Sequence, residues 1–291
     1  MTRYRFVTVD VFTDRRFGGN PLAVFPDARG LDAAQMQSLA AEFNLSETTF
    51  VLPPEDPAND ARVRIFNRTA EMAFAGHPNV GTGWVLAREG RARNGRLRFE
   101  ELAGLVEVRI DGAQVTIDAP QPLSLLGEPP SELVARAAGL TTGDIVTATH
   151  PPIAASTGNG FVMVEVSGEA LTRARPDLDG FARAVAAFPT LGPRRLPLYL
   201  YARDSADRLR ARMFAPLSGT LEDAATGSAA TALAALLLER GGAAEARLEI
   251  VQGVEMGRPS LLFTRAWRTT DGARASVGGG CVAVMSGDVE I

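Results

Sequence analysis

The stretch Glu71-Met-Ala-Phe-Ala-Gly76-His77-Pro78 decides the fold of this chain of 291 residues, because a second stretch repeats it. The first stretch is followed by an apolar run to about Gly90. The second is Glu222-Asp223-Ala-Ala-Thr226-Gly227-Ser228-Ala229, also followed by an apolar run, to about Gly241. Apolar runs of this length between glycines are typical of buried helices. The sequence therefore predicts one structural unit that occurs twice.

The two copies align on their glutamates over twenty positions without a gap. The aligned pairs are Glu71 with Glu222, Ala73 with Ala224, Gly76 with Gly227, His77 with Ser228, Leu86 with Leu237, and Gly90 with Gly241. Upstream, Arg64-Ile65-Phe66 matches Arg212-Met213-Phe214, with a longer loop in the second copy. Each copy thus reads as a strand, an acidic loop, Gly-His or Gly-Ser, and a long helix. We expect the first helix from Asn79 to about Gly90.

Each predicted helix start has features of an anion-binding site. The first N–H groups of a helix are unpaired and carry partial positive charge, and a preceding glycine lets an anion approach the backbone. Two such starts that face each other would bind a carboxylate or a developing enolate. The polar side chains at the rim would be His77, Asp223 and Ser228. The alternative is an ordinary pair of helix starts, in which Pro78 and Ser228 only favour N-terminal geometry. The repetition favours a site.

Two further polar residues are candidates for function. Asn20 lies in Gly18-Gly19-Asn20-Pro21, which reads as a turn and could also present its amide to a ligand. On the chemistry of the residues alone, the turn is favoured. Glu47 lies in a predicted strand, Leu45 to Leu52, among β-branched and aromatic residues. It is either at an exposed edge or partly desolvated, and desolvation would suit it to general acid–base catalysis.

Length and proline distribution predict two lobes. At 291 residues the chain is long enough for two ordinary domains. Pro120-Gln-Pro122 and Pro129-Pro130 mark the expected linker. We expect an N-terminal lobe of residues 1–119, joined by a last strand at 278–291, and a C-terminal lobe of residues 120–277.

Composition narrows the class of protein. The net charge of −4 argues against a nucleic-acid partner, and the lone Cys281 allows no internal disulfide, which favours a reducing compartment. The start of the chain has no signal-peptide core, and the second apolar run is too short and too charged at its end to span a membrane. We expect a cytoplasmic protein. The two histidines lack the spacing of metal ligands, so we expect no metal site. The sequence contains no glycine-rich phosphate loop, so we expect no nucleotide cofactor.

The remaining pattern completes an α+β plan. Leu31 to Phe43 reads as an amphipathic helix with Asp32 as its N-cap, and Asp111-Gly112 reads as the turn of a hairpin. We expect two pseudo-symmetric lobes, each a bent, mostly antiparallel sheet around one central helix. We expect the substrate in the cleft between the two helix starts.

Four motifs in this order resemble the PhzF-like phenazine-biosynthesis isomerase family. They are Asn20-Pro21, Leu45-Ser-Glu47-Thr-Thr-Phe50, Phe74-Ala-Gly-His77-Pro78 and Glu222-Asp223-x-Ala-Thr-Gly-Ser228-Ala. The resemblance extends over nearly the full length and includes Gln252-Gly253. It implies the diaminopimelate-epimerase-like fold, a homodimer and no cofactor. The namesake enzymes isomerise trans-2,3-dihydro-3-hydroxyanthranilate, a small cyclic carboxylate.

The resemblance also implies roles for particular residues. Glu47 corresponds to the proton shuttle, which removes a proton from one ring carbon and returns one to another. His77, Asp223 and Ser228 would hold polar groups of the substrate and assist tautomerisation. The backbone around Gly76, Gly227 and Ser228 would bind charge on the ligand, and Asn20 would be a further substrate-binding residue. Ala225 departs from the family, which usually has proline at this position.

Two other functions compete with the isomerase. One is a non-catalytic small-molecule binding or regulatory protein that retains the pocket, although a binder has no need of Glu47. The other is a hydrolase with Ser228 as nucleophile, although the Gly-x-Ser-x-Gly elbow is absent. Related epimerases of this fold use two cysteines at the helix starts. A single cysteine excludes that mechanism here, and we expect Cys281 to be a buried strand residue.

Overall fold

The chain forms more β-strand than helix, as its alternating apolar residues predict, and the strands belong to two units. The computed structural model of the chain describes residues 1–291. One unit is Met1–Asp118 together with Gly278–Ile291, and the other is Ala119–Val277. Each unit contains one long buried helix and a set of shorter peripheral elements.

The first unit contains two helices and most of its strands before residue 119. The helices are α1 (Ala33–Phe43) and α2 (Gly76–Arg88). The strands are β1 (Arg3–Val11), β2 (Asn20–Phe25), β3 (Glu47–Leu52), β4 (Ala61–Asn67), β5 (Glu71–Met72), β6 (Arg96–Glu101), β7 (Gly104–Asp111) and β8 (Gln114–Asp118). The last strand, β17 (Gly272–Glu290), adds its residues from Gly278 onward.

The sheet of the first unit closes on itself. From β17 it runs through β1, β2, β3, β4, β6, β7 and β8, and β8 pairs with β17 again. Two of these pairings, β2 with β3 and β4 with β6, are parallel. The short β5 adds antiparallel to β4. A closed sheet leaves no long free edge, and its interior must be filled by apolar groups.

Helix α2 fills that interior. Gly81 faces the sheet so closely that a Cβ atom there would lie 2.6 Å from Leu22 Cδ2, and one at Gly83 would lie 2.5 Å from Val108 Cγ1. The small residues of α2 therefore let the helix axis approach strands on opposite sides. The helix begins at Gly76, so the expected start at Asn79 is wrong by three residues. Proline is tolerated in a first helical turn, so Pro78 does not delay the start.

Helix α1 covers the outer face of the same sheet. Asp32 caps it with a reciprocal capping box to Gln35, which confirms the predicted N-cap. An aromatic cluster lies beneath α1, in which Phe25 stacks on Phe50 with ring centroids 4.9 Å apart. The other rings of this cluster are Phe6, Phe43 and Phe66.

The second unit contains four helices and the strands between them. The helices are α3 (Ser131–Ala137), α4 (Gly168–Arg173), α5 (Leu178–Ala187) and α6 (Gly227–Gly241). The strands are β9 (Ser124–Gly127), β10 (Ile153–Ser156), β11 (Gly160–Glu165), β12 (Leu198–Arg203), β13 (Arg208–Ala215), β14 (Thr220–Asp223), β15 (Glu245–Gln252) and β16 (Ser260–Thr269).

The strand connections of the first unit recur in the second. In the first unit, β2–β3 is parallel, β3–β4 and β4–β5 are antiparallel, β4–β6 is parallel and β6–β7 is antiparallel. The series β11–β12, β12–β13, β13–β14, β13–β15 and β15–β16 has the same sequence of directions. The buried helix follows the short third strand in both units, α2 after β5 and α6 after β14. The repeat found in the sequence is therefore a repeat of topology.

Helix α6 is the central helix of the second unit. It packs against β10, β11, β15 and β16, and its residues from Ala229 to Leu236 are all buried. The three shorter helices form a separate apolar cluster on the other face of β11 and β12, around Phe181 and Leu198. No helix of the structure has both the length and the apolar character needed to cross a membrane.

Candidate functional site

The first turn of α2 carries two of the predicted residues, Gly76 and His77. Its N-cap, Ala75, has extended backbone geometry and no side-chain hydrogen bond that caps the helix. The Asn79 side-chain amide instead donates to the Ala75 carbonyl at 3.0 Å. Both Gly76 and His77 are buried. The helix therefore begins with backbone N–H groups that no side chain caps.

Glu47 is the first residue of β3 and lies beside His77. It pairs with Leu22 of β2 on one side and Asn67 of β4 on the other. Strand β3 is thus internal to the sheet, and the edge interpretation of Glu47 is wrong. The Glu47 side chain is 16% exposed, and its Oε2 lies 3.4 Å from His77 Nε2. Glu47 is therefore partly desolvated and within reach of a ring nitrogen.

Asn20 fixes the tautomer of His77. Its Nδ2 lies 3.4 Å from His77 Nδ1, and its Oδ1 accepts a hydrogen bond from the Ser46 hydroxyl at 3.1 Å. In this orientation of the amide, with Oδ1 towards Ser46, Nδ2 faces the imidazole and Nδ1 is the accepting nitrogen. In a neutral ring the proton then resides on Nε2, the nitrogen nearest Glu47.

Burial keeps the His77 imidazole neutral. Loss of solvent lowers the pKa of His77 from 6.5 to about 3, because the charged form loses its hydration. The approach of Nε2 to Glu47 lacks hydrogen-bond alignment, and Nε2 is buried without a hydrogen-bond partner in the structure. His77 therefore presents an N–H donor with unused hydrogen-bonding capacity next to a carboxyl group.

The first turn of α6 carries the predicted Gly227 and Ser228, and Asp223 precedes it by one loop. The N-cap, Thr226, makes no side-chain cap, because its hydroxyl donates to Asp223 Oδ2 at 2.7 Å. Gly227 is buried, whereas Ser228 and Asp223 are half-buried. This start, like that of α2, has backbone N–H groups that no side chain caps.

Gln252, at the end of β15, holds the loop between Asp223 and Thr226. Its Nε2 donates to the Asp223 carbonyl at 2.9 Å and to the Thr226 hydroxyl at 3.0 Å. Its Oε1 accepts from the Thr226 backbone N–H at 3.2 Å and from the Tyr199 hydroxyl at 3.1 Å. Gln252 is completely buried, so these four bonds fix the carboxylate-bearing loop against the sheet.

Reasoning from the sequence assigned no role to Tyr199, Thr226 or Gln252. The only signal was Gln252-Gly253, which matches a family motif. The following Gly253 has a φ of +75°, and a Cβ atom there would lie 2.6 Å from the Ala224 carbonyl oxygen. A glycine is therefore required where this turn meets the loop before α6.

The two glutamates that align the repeat form matching ion pairs. Glu71 receives two hydrogen bonds of 2.7 Å from Arg64, and Glu222 receives two of 2.8 Å from Arg212. Both arginines lie in the strand that precedes the acidic loop. Bidentate pairs fix the position of a loop. Glu71 and Glu222 therefore have the same structural role, which accounts for their equivalent positions in the two copies.

Comparisons with known proteins agree with this architecture. A family model described as "Phenazine biosynthesis-like protein" matches residues 9–287. A trans-2,3-dihydro-3-hydroxyanthranilate isomerase of Pseudomonas chlororaphis is 38% identical, over 98% of this chain and 99% of its own. A protein of Mesorhizobium japonicum described as an uncharacterized isomerase is 37% identical over the whole of both chains.

Solved structures share the fold. A PhzF-family phenazine biosynthesis protein of Bacillus anthracis superposes with a TM-score of 0.89 over all of both chains at 24% identity. A hydroxyproline epimerase of Agrobacterium vitis, at 13% identity, has a TM-score of 0.63 over 99% of this chain and 92% of its own. These likenesses confirm the α+β, diaminopimelate-epimerase-like fold. The chain, which matches the family model and these relatives over nearly its whole length, belongs to the Phenazine biosynthesis-like protein family.

Proposed function

We propose that this protein is a cofactor-independent isomerase that moves a proton within a small cyclic carboxylate. The reaction would be similar to that of trans-2,3-dihydro-3-hydroxyanthranilate isomerase, the name carried by relatives 37–39% identical to it. The observation that carries the proposal is the partly desolvated Glu47 carboxyl, 3.4 Å from a buried histidine nitrogen. A positioned carboxyl next to a neutral N–H donor is suited to proton transfer.

In this mechanism Glu47 removes a proton from one carbon of the substrate and, after exchange with solvent, returns one to another carbon. One positioned carboxyl contributes typically about 10²–10⁴-fold to such a rate. Its place at the start of an internal strand, with neighbours on both sides, restricts its movement. Positioning and charge stabilisation supply the remainder of the rate enhancement.

His77 acts as a hydrogen-bond donor in this mechanism. With a pKa of about 3 it is neutral at physiological pH and holds its proton on Nε2, where it can polarise a substrate oxygen as negative charge develops. The uncapped N–H groups after Ala75 would stabilise the same charge. Asn20 supports this role because its amide faces Nδ1 and fixes the ring.

The proposal assigns the binding of substrate polar groups to Asp223, Gly227 and Ser228. The loop held by Gln252 would keep the Asp223 carboxylate in place, and the uncapped start of α6 offers N–H groups for an anion.

Assembly as a homodimer and a cytoplasmic location are also proposed. The family resemblance supports the dimer, and the single cysteine supports the reducing compartment.

The first test replaces Glu47 with Gln. Native protein and Glu47→Gln are incubated with trans-2,3-dihydro-3-hydroxyanthranilate in deuterated buffer, and substrate loss and deuterium incorporation are followed by NMR. We expect turnover with deuterium in the native protein and a loss of at least about 10²-fold in the variant. Because the amide of glutamine has the shape of the carboxyl group, we expect the variant to fold like the native protein. Thermal unfolding checks this.

A matched control keeps the chemistry of the substitution but moves it away from the site. Glu42→Gln changes an exposed glutamate of α1 and should leave turnover unchanged. Full activity of Glu47→Gln would show that Glu47 is not the proton shuttle. Ligand binding without deuterium exchange in folded native protein would instead support the non-catalytic binding protein.

A further inference from the structure

Three buried polar atoms lie together behind the first turn of α2 without hydrogen bonds. Asn79 in this turn donates from Nδ2 to the Ala75 carbonyl, but its Oδ1 is buried and unpartnered. Glu101, the last residue of β6, places its carboxyl group beside the Asn79 amide. Both Glu101 carboxyl oxygens are also buried without a hydrogen-bond partner. Such groups are rare, because each costs the free energy of desolvation.

The chemistry of the two groups shows how all three atoms can be satisfied. An amide nitrogen has two hydrogens, and the Ala75 carbonyl uses one of those on Asn79. The other hydrogen and the Oδ1 acceptor remain. A neutral carboxylic acid offers the complement, one acceptor and one O–H donor. A carboxylate offers acceptors only, so it would leave Asn79 Oδ1 and one of its own oxygens unpaired.

The electrostatic surroundings also favour the neutral form of Glu101. Burial raises the pKa of Glu101 to about 8 and outweighs the opposite, smaller effect of the neighbouring Asn79 side chain. His77, the titratable group in the first turn of α2, is neutral. The other charged groups at this end of β6 have hydrogen-bond partners of their own. They are Glu100 with Asn59 and the backbone of Glu55 and Asp56, Arg62 with Glu55, and Arg64 with Glu71.

The turn after Glu101 is attached to the segment before α2. The Ala103 N–H donates to the Ala73 carbonyl at 3.1 Å. The hairpin of β6 and β7 thus contacts both ends of residues 73–79, at Ala73 and at Asn79. This segment contains Gly76 and His77. Any shift of the hairpin would therefore displace the first turn of α2.

We propose that Glu101 is a positioning residue, which pairs as a neutral acid with the Asn79 amide and thereby fixes the turn that carries His77. Glu101 acts through Asn79 and not on the substrate. Its effect on catalysis rests on the function proposed above, whereas the pairing itself does not. When Glu101 loses its proton, the pair loses its O–H donor and the first turn of α2 becomes less well ordered.

The pairing is tested by NMR on protein labelled with ¹³C at the glutamate side-chain carboxyl carbons, from about pH 5 to about pH 10. We expect one glutamate carbon to titrate near pH 8, to be absent in Glu101→Gln, and to persist in Glu100→Gln. Glu100 is the adjacent control, since its hydrogen bonds lower its pKa. The absence of a glutamate that titrates above about pH 7, or its persistence in Glu101→Gln, would overturn the pairing.

The positioning is tested on His77 directly. In a His150→Gln background, His77 is the only histidine, so its ring ¹⁵N signals are unambiguous. In the otherwise native protein, we expect these signals to shift over the same pH range in which Glu101 titrates. In Glu101→Gln they should stay constant. Signals that do not follow the Glu101 titration would refute the positioning role. This readout does not depend on any enzymatic activity.

Kinetics then measure the consequence for the proposed reaction. The side-chain amide introduced by Glu101→Gln can donate to Asn79 Oδ1 and accept from its Nδ2. We expect kcat of the native protein to fall above about pH 8, where Glu101 loses its proton. Glu101→Gln should keep the native kcat below this pH and show no such fall above it. Glu101→Leu should lower kcat by about 10- to 100-fold, as expected for a misplaced catalytic group. Equal loss in both variants would contradict the pairing. Lack of activity in the native protein would count against the proposed function and leave the NMR result standing.

Discussion

At the scale of single residues, burial determines the chemistry of His77. The ring lies 6% exposed between Asn20 and Glu47, and its pKa of about 3 keeps it uncharged. An uncharged ring beside Glu47 cannot form a salt bridge with it at neutral pH. The contact between Glu47 and His77 is therefore one between a carboxyl group and a neutral ring.

The buried His77 should make the protein sensitive to acid. The folded-state pKa of His77 is about 3 against 6.5 for the exposed side chain, so the unfolded chain binds the proton more readily. Stability should fall as pH drops below 6.5 and continue to fall until about pH 3. We expect this group to cost about 2 kcal/mol of unfolding free energy between about pH 7 and about pH 5.

Urea unfolding at several pH values, compared between native protein and His77→Gln, measures this effect. His150 is present in both proteins, so its contribution cancels. The native protein should lose more stability than the variant as the pH falls. Parallel pH dependences would show that the pKa of His77 does not differ between the folded and the unfolded chain.

At the scale of elements, the two central helices solve the same packing problem with different residues. Helix α6 uses alanine and leucine, and its residues from Ala229 to Leu236 are buried. Helix α2 uses Gly81 and Gly83 where strands approach it most closely. Glycine lowers helix stability by about 1 kcal/mol relative to alanine. It is accepted in α2 because tight packing against the strands requires the absence of a Cβ atom.

Gly81→Ala should therefore destabilise the protein despite the higher helix propensity of alanine. The added methyl group would lie 2.6 Å from Leu22 Cδ2 and 2.8 Å from Val11 Cγ2. Overpacking of this kind costs typically about 1–3 kcal/mol. Chemical denaturation measures the change in unfolding free energy.

The matched control is Gly241→Ala, at the exposed end of α6. No atom lies within 4 Å of a Cβ placed there, so this variant should be neutral or slightly more stable. If Gly81→Ala were as stable as Gly241→Ala, the close packing of α2 against β1 and β2 would not limit stability.

At the scale of the whole molecule, the last strand completes a sheet that begins at the first. Strand β17 pairs antiparallel with β1 from Val11 opposite Cys281 to Arg3 opposite Glu290, and it also pairs with β8. Cys281 is buried in this strand, as predicted, and burial raises the pKa of its thiol. The thiol is therefore a packing group of the first unit.

A chain that ends at Val277 should lose the fold of its first unit. Without the rest of β17, both β1 and β8 become free edges, and the sheet around α2 opens to water. Hydrogen exchange measured by mass spectrometry should show lost protection in β1 and β8. Strands β12 and β13 of the second unit should stay protected.

A chain that ends at Val289 is the control for this truncation. It removes only Glu290 and Ile291, which are exposed at the end of the pairing with β1. It keeps Val289, which packs against the aromatic cluster, and should keep native protection. Equal protection of β1 in the chain that ends at Val277 would show that β17 is dispensable for the first unit.

The sequence by itself determined the repeated topology, the two buried helices and the family motifs. These features follow from local periodicity and spacing, which any segment carries without its neighbours. The repeat placed Gly76 and Gly227 at helix starts correctly, although α2 begins three residues earlier than the pattern predicts. The hairpin at Asp111-Gly112 and the Asp32 cap were equally local and equally predictable.

Only the tertiary structure decided the environment of the candidate groups. The strand pattern left Glu47 either exposed or desolvated, and pairing with β2 and β4 made it internal. No sequence pattern shows the neutral state of His77, the four hydrogen bonds of Gln252 or the contact of Glu101 with Asn79. Each depends on segments distant in sequence that remove water from the same place, and desolvation is a property of the assembled core.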